Sequence, residues 1–161
     1  MKTAVKISNV LSWINIIVWG LVVLEALVIG LASGVFLYLI LAFFLSSVIL
    51  HSYAALKLRK SIRNPDVPLG SQTPAGIRFI GFVALLFGAS CLANGITILQ
   101  NAKESLKFMQ AQMPQLKDMN VSYMRSLGAI AVLVGLSVAG NVFINFRLLR
   151  WYQVSKANSE K

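Results

Sequence analysis

The sequence predicts an all-α integral membrane protein: an antiparallel bundle of four spanning helices, with a short amphipathic segment in the outer loop. Three observations predict it. Four apolar runs, about 10–32, 35–56, 77–99 and 124–146, each hold roughly the 20 residues that a helix rising 1.5 Å per residue needs to cross a ~30 Å hydrocarbon layer. Of 161 residues, 57% are hydrophobic and only 12% charged, about half the charged share of a water-soluble domain. The net charge of +10 comes from Lys and Arg gathered just outside the runs. One domain, 1–161, accommodates all four spans.

The first run follows Lys2 and Lys6 and has the positive flank of a secretory signal. Its length of about 22 residues exceeds a signal core, and it contains Glu25, so a retained helix is expected. Only Ala32-Ser33-Gly34 separates it from the second run, which demands a tight antiparallel hairpin. The second run is bulky, with Phe36, Tyr38, Phe43 and Phe44. It leads into Lys57-Leu58-Arg59-Lys60-Ser61-Ile62-Arg63, a helical extension that Pro65, Pro68, Gly70, Pro74 and Gly76 then terminate.

The third run carries a stripe of small residues, Gly81, Ala84, Gly88, Cys91 and Gly95, at alternating spacings of three and four. The fourth has Gly128, Ala131 and Gly135. In lipid, close backbone approach takes over the role of the hydrophobic effect between helices, so these stripes are expected to pack on one another or on a second copy. Between the third and fourth runs, Leu106, Met109, Met113 and Leu116 fall at helical spacing, interrupted at Pro114, and predict a surface or capping helix.

Counting basic residues sets the orientation. Both termini and the loop after the second run hold eleven Lys and Arg, from Lys2 to Lys161, against four (Lys103, Lys107, Lys117 and Arg125) on the other side. The excess places both termini in the cytoplasm of a plasma or bacterial inner membrane. A basic chain can bind nucleic acid, but basic residues beside apolar runs fit anionic lipid headgroups better, with Lys57, Arg59, Lys60 and Arg63 as the cluster facing them. Nucleic acid is not an expected partner.

Polar residues at membrane depth are the candidate site residues, because lipid penalises them unless they find protein partners. Helix rise places Glu25 about 22 Å and Asn94 about 25 Å from the cytoplasmic ends of their helices, which allows an outer tier of Glu25, Asn94 and Ser90. An inner tier of Asn15, His51 and Asn141 is available near the other face. Glu25 is the sharpest of these: its carboxyl must face the bundle interior, carry a proton or meet a partner. The segment Leu24-Glu25-Ala26-Leu27-Val28-Ile29-Gly30 is faintly similar to the first helix of small multidrug transporters. The long outer loop and strong charge bias depart from that family, and no family is assigned.

His51 is the only histidine and Cys91 the only cysteine, so neither a bis-histidine haem nor an intrachain disulfide is available. No phosphate-binding loop, zinc motif or nucleophile triad is present; no cofactor is implied, and the balance is against an enzyme. The expected function is a non-enzymatic accessory or interaction subunit of a membrane complex, its partners being the bilayer, anionic headgroups, and other membrane proteins or a second copy. The alternative is a small proton- or cation-coupled transporter or channel using Glu25.

Overall fold

The computed structural model describes residues 2–64, 66–113 and 116–159, without the side chains of Lys2 and Ser159. Pro65, Pro114 and Lys161, which the sequence reading used, lie outside the described residues. The chain is all-α. Its helices are α1 (Lys2–Ser33), α2 (Phe36–Arg63), α3 (Thr73–Gln100), α4 (Ala102–Gln112) and α5 (Val121–Ser159). All but α4 are long and apolar enough to cross a membrane, which makes this a multi-pass membrane protein by architecture.

Each long helix outruns its apolar stretch. Backbone hydrogen bonding continues wherever nothing breaks it, whether the side chains are oily or charged, so helix ends are set by turn chemistry. At the α1–α2 turn, Gly34 adopts φ +68°, the left-handed conformation that terminates helices and suits glycine. Ser33 Oγ donates to the Ile29 carbonyl (2.6 Å) and accepts from the Val35 N–H (3.3 Å). Just before the turn, a Cβ on Gly30 would lie 2.9 Å from Leu39, so the hairpin closes on hydrogen alone. Pro74 stands in the first turn of α3, where a missing N–H costs nothing. Asn120 starts α5 by accepting the Tyr123 N–H at 2.9 Å. The amphipathic α4 ends at Gln112; Met113 is its cap and Leu116 lies beyond it.

The chain divides into two compact units, one within residues 1–87 and 138–161, the other within 88–137. In the first, α1 and α2 pack along their length, with Val23 and Ala26 against Ala42 and Leu45. Val48 of α2 meets Ala84 of α3 and Val138 and Val142 of α5. Val5, Leu58, Ile77, Leu148 and Leu149 form another cluster. Residues 51–60 of α2 and 141–150 of α5 bury their positions in the same order, so both present equivalent faces inward. In the second unit, Ala102 and Leu106 of α4 bury against Met124 of α5. There α3 and α5 meet through glycine: a Cβ on Gly95 would sit 2.8 Å from the Gly128 carbonyl oxygen, and one on Gly135 2.7 Å from that of Gly88.

Candidate functional site

The polar interior of the first unit is assembled from three helices. On α1 the buried positions 5, 8, 12, 15, 23, 26 and 30 step by three and four or whole multiples of a turn, and three of them are polar: Ser8, Ser12 and Asn15. On α2 the buried face runs through Val48, His51, Ser52, Ala55 and Arg59. On α5 it includes Asn141 and Asn145, one turn apart, between Val138 and Leu148. The same periodicity that makes an apolar stripe on a soluble helix here makes a polar one.

Hydrogen bonds tie the three together. Ser8 Oγ donates to Asn145 Oδ1 (2.5 Å) and Ser12 Oγ to Asn141 Oδ1 (3.1 Å). Asn145 Nδ2 donates to Asn141 Oδ1 (3.0 Å), and Asn141 Nδ2 to Ser52 Oγ (3.2 Å). Asn145 Nδ2 also lies 3.3 Å from His51 Nε2. With the amide donating, Nε2 accepts and the ring proton resides on Nδ1. The imidazole is wedged between Phe146, whose ring meets it edge-on at 6.1 Å, and Gly81, where a Cβ would approach Nδ1 to 2.8 Å. Ser47 is buried but turns back to the Phe44 carbonyl of its own helix.

Arg59 completes the network. Its Nη1 donates to Ser8 Oγ (2.5 Å) and Ser12 Oγ (3.2 Å). The side chain is only 2% exposed. It extends toward the N-terminal end of α2, as long side chains on helices do, since Ser12 connects through Asn141 to Ser52, two turns earlier on the same helix. Its Nε and Nη2 are buried and have no hydrogen-bond partner, and no carboxylate pairs with it among the described residues. A guanidinium remains charged at any physiological pH. The site therefore holds a full positive charge with three of its five N–H donors unmet, which is costly in a low-dielectric interior. The partial negative charge at the C-terminal end of α2 offsets only part of this.

The other residues singled out by sequence lie as follows. Asn15, His51 and Asn141 are all buried. Glu25, Ser90 and Asn94 are each exposed on their helices. Glu25 falls between Leu24 and Val28, both exposed, and off the face defined by Val23 and Ala26; it has no hydrogen-bond partner among the described residues. In the basic cluster, Lys57, Lys60 and Arg63 are exposed, with Lys57 Nζ 4.9 Å from the Tyr53 ring centre. Arg59 parts from them and enters the bundle, because it stands four residues after Ala55 on the buried face. Gly81, Ala84, Gly88, Gly95, Gly128 and Gly135 are buried, while Cys91 and Ala131 are half-buried. Sequence reasoning missed Ser8, Ser12 and Ser52 as partners. The signal was present in the Ser8–Ser12–Asn15 spacing, but serine alone is too common in helices to stand out.

Among the described residues no three His, Cys, Asp or Glu side chains gather closely enough to hold a metal ion. The chemistry open to the network is therefore hydrogen bonding around a fixed cation. No protein-family profile, curated protein or solved structure matches the chain.

Proposed function

We propose that this chain is a non-enzymatic accessory subunit that packs against another membrane protein, with Glu25 at the contact. The observation that carries the reading is Glu25 itself. A carboxyl group exposed on a membrane-length helix, flanked by the exposed Leu21, Leu24 and Val28, has only lipid to meet in an isolated chain. Ionisable groups facing hydrocarbon are expensive, and a neighbouring helix offering a donor removes the penalty. The excess of Lys and Arg at both termini and in the loop after α2 supports a cytoplasmic location for both ends in this reading. The exposed Lys57, Lys60 and Arg63 are then available to anionic headgroups.

Photo-crosslinking from positions 24 and 28 in native membranes tests it. Both positions should give one adduct with the same foreign membrane protein, and Glu25→Ala should reduce that adduct strongly. Adducts with lipid alone, together with migration as a single chain after mild detergent extraction, would overturn the accessory reading. An adduct only with a second copy of the chain would replace it with self-association.

A further inference from the structure

The buried edge of Arg59 is a ligand-binding feature that the hydrogen-bond network leaves unused. We infer that Arg59 binds one phosphate group through its Nε and Nη2 nitrogens. Three facts converge on this. Nη1 is already held by Ser8 and Ser12, which fixes the guanidinium plane. Nε and Nη2 carry N–H groups on one edge of that plane, and this edge is the fork that receives two oxygens of a phosphate side by side. Both nitrogens are enclosed and have no hydrogen-bond partner among the described residues, so the fold has buried a charge with these donors unmatched.

The surroundings favour an anion. The side chains bonded to or through Arg59 are Ser8, Ser12, Ser52, His51, Asn141 and Asn145, none of them acidic. Arg63, the last residue of α2, is exposed one turn further on, and Lys60 is exposed beside it, so the nearby surface is positive too. That end of the helix lies about 6 Å along the axis from the backbone of Arg59, and the guanidinium extends the other way, so a phosphate from that side must pass below headgroup depth to meet it. The ligand reaches Nε and Nη2 only as covering side chains give way. Binding at Arg59 is therefore a one-to-one event protected from salt, unlike the diffuse attraction of Lys57, Lys60 and Arg63, which salt screens.

A phosphate group can come from a lipid headgroup or from the free ion, and two arms separate them. The full chain is purified in neutral detergent and its melting temperature followed against inorganic phosphate, with chloride at matched ionic strength as control. In parallel it is placed in phosphatidylcholine bilayers containing phosphatidylglycerol, and the lipid retained per chain after stringent washing in high salt is counted by native mass spectrometry. The expected result is one saturable site in at least one arm. Arg59→Leu should abolish it. Arg59→Lys should weaken it about tenfold, the loss of one charge-assisted hydrogen bond. The double variant Lys60→Gln/Arg63→Gln should retain it. A response to inorganic phosphate identifies the free ion; retention of phosphatidylglycerol without that response identifies the headgroup; either supports the site. Absence of a response in both arms, or the same response in wild type and Arg59→Lys, overturns it. The lysine variant keeps the test decisive should Arg59→Leu fail to fold.

Discussion

The two units hold their helices together by different means. Within 88–137, α3 and α5 approach until glycine meets backbone: Gly95 on Gly128, Gly88 on Gly135. Within 1–87 and 138–161, the contacts between α1, α2 and α5 include a chain of side-chain hydrogen bonds through Ser8, Ser12, Ser52, Asn141 and Asn145. Small-residue packing and interhelical hydrogen bonding are the two drives available where lipid is as oily as the helices themselves. The difference teaches what each is good for. A glycine seam needs only shape and leaves no chemistry behind. A polar seam can hold a charged group at depth, and here it holds Arg59. A second comparison isolates that charge. Segments 51–60 and 141–150 bury the same positions, but α2 has Ala55 and Arg59 where α5 has Asn145 and Leu149. The cation is on one helix and the amides that organise its partners are on the other.

The largest effect should come from Asn145→Ala. It removes the bond from Ser8 and the links to Asn141 and His51 together, and should cost about 2–3 kcal/mol, read from unfolding in mixed micelles. Gly135→Ala comes next. A Cβ there would sit 2.6 Å from Leu92 and 2.7 Å from the Gly88 carbonyl oxygen, so α3 or α5 must shift, at about 1–2 kcal/mol in the same assay. Should the glycine change cost more than the asparagine change, the polar seam is the weaker of the two and the contrast between the units reverses. The smallest effect is Arg59→Leu, which gives α2 the residue α5 has at the equivalent position. Ser8 and Ser12 keep their bonds to the amides, and a desolvated charge is removed, so stability should change by less than about 1 kcal/mol and in the stabilising direction. A large loss instead would mean that Arg59 organises the seam rather than being carried by it.

Sequence made some of this legible and hid the rest for physical reasons. The four spans are visible because length and apolarity are properties of the chain itself. The glycine stripes are visible because their spacing of three and four matches the helix repeat. The inward turn of Arg59 is written in the spacing of Val48, Ser52, Ala55 and Arg59, but it is masked by Lys57 and Lys60, which make the segment look uniformly solvated. Glu25 shows the opposite problem. Its depth could be counted along α1, but its direction could not be read until Ser8, Ser12 and Asn15 were known to mark the inner face; Val23 and Ala26 continue that face and Glu25 does not. Serine is the residue least readable from a single chain, because its hydroxyl can bond its own helix, as Ser46 and Ser47 do, or reach across, as Ser8 and Ser12 do.

Splitting the cation and its amide partners between α2 and α5 has a temporal consequence. About eighty residues separate Arg59 from Asn141, and ribosomes add roughly 5–20 residues per second, so the residues of the first hairpin are made several seconds before either amide. Of the hydrogen-bond partners that the guanidinium has in the finished fold, both are serines made before it, while the amides that hold those serines come last. The order of synthesis makes the final helix the element that completes the network.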